Sequence, residues 1–332
     1  MRGSGPTILT NMAFRQSRTW MDATTSICRG DETPDDLCPL RQAFRLLKLR
    51  KKFDVVVTMG PRPSLAYGLL CAALRMPAKQ VLTETFLDAP RPASAAWRLK
   101  TALFRLVARR ALGILTNSSA EVALIARRFG LPENRLRFVP MHTTIADPQA
   151  VAENDGSVLS IGRTLRDLDA LIAAARRVAA PFVVVAGAAD RMPEPLPAHV
   201  RVLRDVPLAE GHALMRRAAI VVIPLLPAER STGQVVLFEA MALGKPVVAT
   251  RAVGTADYVR DGENGLLVEP GDAAALAQAI ERLRQDPALA RRLAAAALDD
   301  CRTRWLPGVH AQAKIAALRE LLGQARPEAA IS

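Results

Sequence analysis

The chain has 332 residues and half of them are apolar, so it is long enough to bury two hydrophobic cores and too apolar to be disordered. Its 45 Lys and Arg outnumber its 32 Asp and Glu, and the net charge of +13 favours anionic partners such as phosphates or an acidic membrane surface. With only 9 Phe, 2 Tyr and 3 Trp, and with arginines spread along predicted helices, the chain lacks a base-stacking platform. Nucleic acid is therefore not expected as a partner.

The cysteines predict free thiols in a reducing compartment. Cys28, Cys38, Cys71 and Cys301 have no CxxC spacing, and Cys71 lies within an apolar helical run. The N-terminus lacks a basic segment followed by an apolar core, and the longest apolar stretches are interrupted by charge. We therefore expect a cytoplasmic protein without a structural metal, neither secreted nor membrane-spanning.

Short β-branched apolar runs alternate with longer amphipathic runs, which is typical of a parallel sheet flanked by helices. After a first strand ending near Thr10, the predicted strands are 54–58, 113–117, 157–161, 182–186, 220–224 and 246–250. The predicted helices are 118–129, opened by Ser118 or Ser119, then 163–179, an Ala- and Leu-rich pair over 273–297 broken at Asp286 and Pro287, and 309–322. The sequence therefore predicts an α/β protein of doubly wound units.

The alternation of strands and helices lapses between residues 139 and 155, where Pro140, Pro148 and a short acidic stretch precede a new strand. We place the domain boundary there. The expected divisions are an N-terminal domain over 1–147, a second domain over 148–305, and a last segment over 306–332.

The segment 231–246 combines a loop of small residues, a helix, Gly244 at the helix end, and a strand. Backbone N–H groups in the first turn of such a helix, together with the helix dipole, suit a diphosphate. Gly233 would let the ligand approach the backbone closely. Taken alone, the segment is also compatible with a tight loop that binds nothing.

The residues that follow extend this pattern. They are Val253, Gly254, Thr255, Ala256, Asp257 and Tyr258, then Asp261, Gly262, Glu263, Asn264, Gly265, Leu266, Leu267 and Val268, then Pro270, Gly271 and Asp272. Supporting segments are 160–163 with Arg166 and Asp167, 115–118, 128–132 and 139–140. From about Ala111 to Gly271 the chain resembles the group 1 glycosyltransferases (glycosyltransferase family 4). The resemblance implies a GT-B fold, in which two Rossmann-like domains face each other across a cleft, with the last helix crossing back to the first domain. The first domain, 1–147, would bind the acceptor, and the second, 148–305, would bind the nucleotide sugar.

The resemblance also implies a donor site. Glu239 would hydrogen-bond the ribose hydroxyls of a nucleotide sugar, since a carboxylate accepts from two vicinal hydroxyls at once. The other donor-binding residues would be Gly162, Ser231, Thr232, Gly233, Gln234 and Val235, with backbone N–H groups of the last three on the phosphates. The alternative for Glu239 is a solvated surface residue.

Two arginines are candidates for the chemistry. Arg163, just past a strand end, and Arg166 would face the diphosphate and stabilise charge on the leaving group. Arginine at an exposed helix start is otherwise commonly a solvated residue, and that alternative stays open for both side chains.

The chain departs from the family pattern at two places. Ser231 stands where the first of a pair of Glu residues is expected to contact the donor sugar, so either Glu229 replaces it or Ser231 and backbone groups hold the sugar. No His follows the middle strand of the first domain. Glu84, or Asp88, is the candidate general base there. The alternative is a loop carboxylate paired with Arg91.

Other polar residues receive simpler interpretations. His142 lies near the domain boundary, where a polar surface residue is the plainer interpretation. Asp167 and Asp169 resemble a metal-binding carboxylate pair, but side chains two apart on a helix diverge, so no metal is assigned.

Residues 96–112 form a basic amphipathic segment in which Trp97, Leu103 and Phe104 alternate with arginines. Such a helix could lie on an anionic membrane, as docking to a lipid-linked acceptor would require. The alternative is a core helix whose apolar face packs on the sheet while its Arg face is solvated.

Together these features predict a glycosyltransferase of the hexosyltransferase type that moves a sugar from a nucleotide-sugar donor to a glycan or lipid-linked acceptor. The resemblance implies retention of configuration, no metal or other cofactor, and a role in polysaccharide or glycoconjugate biosynthesis, either in the cytoplasm or peripherally on the inner face of the membrane. Closure of the cleft would exclude water and limit donor hydrolysis. The rival functions are a nucleotide-sugar epimerase, which turns over without acceptor, and a degenerate relative that only binds nucleotide or a partner.

Overall fold

A computed structural model describes residues 5–85 and 93–329, with the backbone alone for 325–329. These residues form two compact units. One contains the chain up to Pro140 together with the segment from Pro307 onward, and the other is Met141–Leu306.

The first unit is built on a parallel sheet of six strands. Its elements are β1 (Ile8–Thr10), α1 (Arg18–Ala23), β2 (Thr24–Ser26), α2 (Pro39–Leu49), β3 (Val55–Met59), α3 (Pro61–Ala73), β4 (Gln80–Thr83), α4 (Ala95–Arg110), β5 (Gly113–Thr116), α5 (Ser119–Phe129) and β6 (Leu136–Phe138). The strand order is β2-β1-β3-β4-β5-β6, and every pairing is parallel. Ser118 caps α5 by accepting a hydrogen bond from the Ala120 N–H, which decides between the two candidate caps.

The second unit contains another parallel sheet of six strands. Its elements are β7 (Val158–Ile161), α6 (Leu168–Ala175), β8 (Phe182–Ala186), β9 (Val200–Arg204), α7 (Leu208–Arg217), β10 (Ile220–Ile223), α8 (Gln234–Ala242), β11 (Val247–Thr250), β12 (Leu266–Val268), α9 (Ala273–Gln285) and α10 (Pro287–Thr303). The order is β12-β11-β10-β7-β8-β9, again all parallel. The predicted α/β class is confirmed.

The last helix, α11 (Pro307–Ala329), packs on the sheet of the first unit. Its Ala311, Ile315, Leu318 and Leu321 join a core with residues of β1, β3, β4 and β5. A side chain at Gly113 would collide with Leu321, at 2.7 Å, so the small residue on β5 makes room for the helix. The helix begins two residues before and ends seven residues after the predicted 309–322.

The predicted helix over 163–179 is wrong at both ends. α6 begins only at Leu168, because the Asp167 carboxylate accepts a hydrogen bond from the Ala170 N–H at 2.9 Å and caps the helix. Residues 162–166 form a loop instead, and α6 ends at Ala175 shortly before Pro181 starts the approach to β8. The loop places Arg163 and Arg166 at the edge of the sheet.

The four cysteines are free, and Cys71 and Cys301 are buried. This agrees with the absence of disulfide spacing in the sequence. Within the described ranges, no helix combines the length and apolar character needed to cross a lipid bilayer.

Candidate functional site

The second sheet has a point at which its strand order reverses. β7 lies between β10 and β8, so the chain leaves β7 toward one edge of the sheet and later returns to β10 on its other side. Loops that leave adjacent strands in opposite directions open a crevice at the carboxyl edge, and open α/β sheets bind ligands there. The loops concerned are residues 162–166 after β7 and 224–233 after β10.

Helix α8 starts at this edge. Gly233 is its N-cap residue and has a φ of +81°, a left-handed conformation that glycine adopts without strain. Glycine has no side chain with which to cap the first turn of α8. N–H groups of a first turn have no partner inside their own helix, so this end is suited to an anion. Val235 in the first turn is 48% exposed, whereas the Gln234 side chain is buried.

The loop before α8 is supported from the side by the turn after β11. A Cβ on Gly254 would overlap the backbone of Thr232, so only glycine permits this approach. Thr255 is fully buried and its hydroxyl donates to the Thr250 carbonyl at 2.5 Å. The Gly-Thr pair that helped to suggest the family therefore has a structural reason.

The loops after β7 and β10 touch each other. Thr232 Oγ1 donates to the Thr164 carbonyl oxygen at 3.3 Å, and the Leu226 N–H donates to the Leu165 carbonyl at 2.9 Å. These contacts bring Arg163 to the same edge as the α8 N-terminus. The structure thus assembles residues that the sequence places about 70 positions apart.

The two candidate arginines differ in their surroundings. Arg163 has a side chain that is 67% exposed, and its Nε lies 3.9 Å from the Asp205 carboxylate, a distance typical of a weak surface ion pair. Arg166 folds back on its own loop, donating from Nε and Nη2 to the Ile161 carbonyl and from Nη1 to the Thr164 carbonyl. Burial lowers the pKa of Arg166 to about 10, so the side chain remains charged at neutral pH.

Gly162 has a φ of +124° and lies directly under the Arg166 guanidinium, where a Cβ would collide with it. Arg166 therefore orders the β7 loop through its contacts with backbone carbonyls. Arg163 has the more accessible guanidinium of the two.

Glu239 lies on α8 and is only 6% exposed, which excludes a solvated surface carboxylate. Thr144 donates a hydrogen bond from Oγ1 to Glu239 Oε1 at 2.7 Å. His212 Nε2, on α7, lies 3.2 Å from the same oxygen, within ion-pair distance but without the alignment of a hydrogen bond. Oε1 thus faces two polar side chains from other elements.

Thr144 lies in the segment with which the second unit begins. The Met141 N–H donates to the Tyr258 hydroxyl at 3.1 Å, and the Thr143 N–H donates to the Trp305 carbonyl at 2.9 Å. Phe238, next to Glu239 on α8, packs edge-to-face against both rings, with centroids 4.9 Å and 5.1 Å away. This aromatic cluster fixes the segment relative to α8.

Sequence reasoning missed Thr144 and His212. The only available signal was the polar run His142, Thr143 and Thr144 in a segment taken as a boundary, and nothing marked His212 on its amphipathic helix. His142 itself is half-buried, and its Nδ1 lies 2.9 Å from the Thr143 carbonyl.

Comparison with known proteins decides the family. Residues 155–286 match the sequence profile of the family described as glycosyl transferases group 1, and residues 14–142 match the profile described as a glycosyl transferase 4-like domain. The chain belongs to the group 1 glycosyltransferases.

Among curated relatives, this group 1 glycosyltransferase is similar to the lipopolysaccharide core biosynthesis glycosyltransferase LpsE of Rhizobium meliloti, with 46% identity over 77 residues, 23% of this chain and 22% of the relative. It is also similar to the phosphatidyl-myo-inositol mannosyltransferase of Mycobacterium leprae, with 42% identity over 104 residues, 31% of this chain and 27% of the relative. These matches span about a quarter of each relative's own length.

Among solved structures, Anabaena Alr3699/HepE in complex with UDP-glucose is similar to this chain with a TM-score of 0.66 and 17% identity, covering 93% of this chain and 98% of the other. The sucrose-phosphate synthase of Thermosynechococcus elongatus is similar with a TM-score of 0.65 and 20% identity, covering 91% and 84%. Both likenesses extend over both units. The predicted GT-B fold with two Rossmann-like domains is confirmed.

In this group 1 glycosyltransferase, the residues near Ser231, which replaces the expected first Glu, differ in their exposure to solvent. Ser231 is 2% exposed and Thr232 is 8% exposed, whereas Glu229 lies on the exposed part of the loop. The serine is therefore packed within the loop, and Glu229 is the residue with an accessible side chain.

The Asp-Gly-Glu-Asn-Gly segment of the family pattern, residues 261–265, is anchored to α10 by hydrogen bonds to Asp300. Asn264 is 1% exposed, donates from Nδ2 to Asp300 at 2.8 Å, and accepts from the Arg260 N–H at 2.7 Å. Arg260 Nη2 also donates to Asp300 at 2.8 Å. Burial opposes ionisation of Asp300, but these hydrogen bonds outweigh it and lower the pKa. The network joins the β11–β12 connection to α10.

Glu84, the candidate base, follows β4 in the first unit. It has a left-handed φ of +53°, and its side chain is 29% exposed. Its Oε1 lies 3.9 Å from Lys314 Nζ on α11. Asp88 and Arg91, the other residues considered at this position, lie outside the described residues.

In residues 5–85 and 93–329, no three His, Cys, Asp or Glu side chains converge to hold a metal ion. Asp167 uses its carboxylate to cap α6, as described above.

Proposed function

We propose that this chain is an active glycosyltransferase that moves a sugar from a nucleotide-sugar donor to a hydroxyl of a glycan or lipid-linked acceptor. The observation that carries the proposal is the buried Glu239 carboxylate on the helix whose N-terminus, with Gly233 as its N-cap residue, lies at the reversal point of the sheet. Binding of a nucleoside diphosphate requires a hydrogen-bond acceptor for the two ribose hydroxyls and a site for the anionic diphosphate. Helix α8 provides the first with Glu239 and the second with the N–H groups of its first turn.

Each part of the donor has a matching group. Oε1 of Glu239 is engaged by Thr144, which leaves Oε2 to accept from the ribose hydroxyls. First-turn N–H groups of α8 bind the phosphates, and Arg163 stabilises the charge that develops on the leaving nucleoside diphosphate. Arg166 contributes by holding the β7 loop in shape rather than by contact with the donor.

In the transfer step, the acceptor oxygen bonds to the anomeric carbon on the same face from which the phosphate oxygen departs, because attack on the opposite face would invert the configuration. The nucleoside diphosphate leaves with the bonding electrons, and Glu84, the candidate base, takes the acceptor proton. We propose retention of configuration and no requirement for a metal ion, since Arg163 and the helix N-terminus supply positive charge. An undiminished rate in excess EDTA would support this last point.

The relatives support a role in polysaccharide or glycoconjugate biosynthesis. LpsE is described as acting in lipopolysaccharide core biosynthesis, and the mycobacterial relative as a phosphatidyl-myo-inositol mannosyltransferase. HepE was solved with UDP-glucose. We therefore propose a hexosyl donor carried on a nucleoside diphosphate, in the cytoplasm or at its membrane face.

Helix α4 supports a position at an anionic membrane. One apolar face, with Phe104 and Val107, packs into the core. Two other apolar side chains of α4 lie on the surface: Leu99 is 62% exposed and Leu106 is 46% exposed. Arg98 and Arg105 precede these leucines, and the helix has no acidic residue. Exposed leucines beside arginines suit insertion at the interface of anionic lipid.

Vesicle flotation tests the membrane proposal. We expect the protein to float with vesicles that contain phosphatidylglycerol but not with neutral phosphatidylcholine vesicles, and we expect Leu99→Gln with Leu106→Gln to weaken flotation. The matched control is Leu208→Gln, a 72% exposed leucine on α7 of the second unit. Equal flotation of the double variant and the wild type would contradict this part.

The experiment for the main proposal is a calorimetric titration with UDP-, GDP- and ADP-sugars, followed by turnover assays with and without acceptor. We expect one donor to bind, and Glu239→Ala and Arg163→Ala to weaken it by about tenfold or more, equivalent to about 1.4 kcal/mol. Arg177→Ala is the control, since this exposed arginine lies beyond the far end of α6. No binding by any donor would overturn the proposal. Binding without transfer or hydrolysis would favour a degenerate relative, and turnover without acceptor an epimerase.

A further inference from the structure

Lys314, on α11 of the first unit, is a buried cation whose ion pair with Glu84 is long, at 3.9 Å. The residue is 1% exposed. Among the residues that the structure describes, its Nζ contacts Met12 Sδ at 4.0 Å, Glu84 Oε1 at 3.9 Å and the face of Trp20, whose centroid is 5.7 Å away. None of these is a hydrogen bond of ordinary length to oxygen or nitrogen. A buried ammonium with unsatisfied N–H groups is unfavourable, so its retention at this position needs an explanation.

The place of this ammonium in the fold points to ligand binding. Met12 lies just after β1 and Glu84 just after β4, and β3 separates these strands in the sheet. Nζ therefore lies over the carboxyl edge of the central strands. Ligands of open parallel sheets bind outside that edge.

Two further buried polar groups lie in this region. Thr83 is fully buried, and its Oγ1 has no hydrogen-bond partner within the described ranges. Alternate residues of a strand share a face, so Thr83 lies on the same side as Val81, which packs in the core formed with α11. Trp20, which contacts Lys314, is 1% exposed, and its Nε1 likewise lacks a partner in the described part of the chain.

The conformation of Glu84 is also unusual. A φ of +53° is strained for a residue with a side chain, and such strain concentrates at functional sites. Here it accompanies a carboxylate aimed at a buried lysine while the side chain remains 29% exposed. The Glu84 carboxylate is thus partly exposed, whereas the Lys314 side chain beside it is buried.

The separation of 3.9 Å between Lys314 Nζ and Glu84 Oε1 is too long for a hydrogen bond but fits one bridging hydroxyl. A hydroxyl oxygen at about 2.8 Å from each atom would accept from the ammonium and donate to the carboxylate. An anionic group in the same place would be repelled by Glu84. The charge arrangement therefore favours a neutral polyol over a phosphate.

We propose that Lys314 and Glu84 together bind a hydroxyl group of the sugar acceptor, with Lys314 donating to the hydroxyl oxygen and Glu84 accepting its proton in a hydrogen bond. The inference rests on the proposed function and deepens it, because it adds Lys314 of the last helix to the residues that would position the acceptor. The expected ligand is an uncharged carbohydrate or polyol hydroxyl.

The test follows the Lys314 side chain directly by NMR of full-length protein labelled at the lysine side chains. Lys314→Met, or Lys314→Arg if the first variant does not fold, identifies its resonance. Methyl α-D-glucopyranoside, myo-inositol, glycerol and inorganic phosphate are titrated in turn. We expect at least one hydroxyl probe to shift the Lys314 signal in a saturable manner, and Glu84→Gln to raise the apparent Kd about tenfold. The signal of Lys79, which donates to the Phe53 carbonyl at 2.9 Å, is the internal control.

Three outcomes would overturn the inference: no hydroxyl probe shifts the Lys314 signal, phosphate alone shifts it, or Glu84→Gln leaves the titration unchanged. Donor titrations on the same samples separate this result from the main proposal. Donor binding without a Lys314 response sinks the acceptor subsite alone, whereas a Lys314 response without donor binding sinks the transferase proposal.

Discussion

Thr144 donates a hydrogen bond to the buried carboxylate of Glu239 across 95 residues of sequence, at 2.7 Å. The bond joins the segment that opens the second unit to the helix that carries the candidate donor site. It orients one carboxylate oxygen, and a carboxylate has acceptor capacity left for a ligand. The segment and the helix should therefore act together in donor binding.

We predict that Thr144→Val weakens donor binding by about tenfold or more, because the loss of one hydrogen bond to a charged group is worth about 1.5 to 3 kcal/mol. Isothermal titration calorimetry measures the change. Thr144→Ser keeps the hydroxyl and should bind like the wild type. Equal affinity of the Val and Ser variants would show that Thr144 does not orient Glu239.

Substitutions of the two arginines in the β7 loop should have different effects, one on stability and the other on donor binding. Arg166→Met removes hydrogen bonds to the Ile161 and Thr164 carbonyls, so we expect it to lower the free energy of unfolding by about 1 to 3 kcal/mol. Arg163→Met, at an exposed site, should leave that free energy within about 0.5 kcal/mol of the wild type while weakening donor binding. Urea unfolding with calorimetry on both variants tests this, and the reverse pattern would exchange the two roles.

Asp300 should make the protein sensitive to acid. Its pKa is lowered in the folded state, so the unfolded state binds more protons as pH falls below about 4, the ordinary Asp pKa. The stability from this group is complete above that pH and is lost as pH falls through the folded pKa. We expect Asp300→Asn to be less stable than the wild type at pH 7 and to lose less stability between pH 5 and pH 3. Urea unfolding at each pH measures both stabilities. An equal loss of stability for the two proteins between pH 5 and pH 3 would refute the role of Asp300.

Lys314→Met should stabilise the fold. Replacing a buried, poorly paired charge with an apolar side chain of similar length can add on the order of 1 to 4 kcal/mol. Burial lowers the pKa of Lys314, so the unfolded state binds more protons between the folded pKa and about 10.4, and wild-type stability from this group rises with pH in that range. The Met variant should lack that rise in thermal unfolding measured up to pH 10. A lower melting temperature for Lys314→Met at neutral pH would show that the ion pair with Glu84 outweighs burial.

The strands that the sequence predicted are present because each is a short apolar run bounded by turn residues, but β2, β6, β9 and β12 were not predicted. Residues 182–186 were placed without error as β8, and the break at Asp286 and Pro287 falls between α9 and α10 as expected. The helix after β7 was misplaced because Asp167 was taken as an interior residue, whereas its carboxylate caps the helix. A cap and an interior position differ in backbone conformation, and one-dimensional periodicity does not record that difference.

The sequence alone determined the two parallel α/β units, the family, and the loop and helix that carry Gly233 and Glu239, because these depend on local patterns and contiguous motifs. Only the tertiary structure decided that Glu239 is buried beside Thr144, that Arg166 binds its own loop, and that Lys314 comes close to Glu84. These relationships join residues far apart in the chain. They depend on how helices pack over a sheet, which fixes distances and burial that the composition of each segment leaves open.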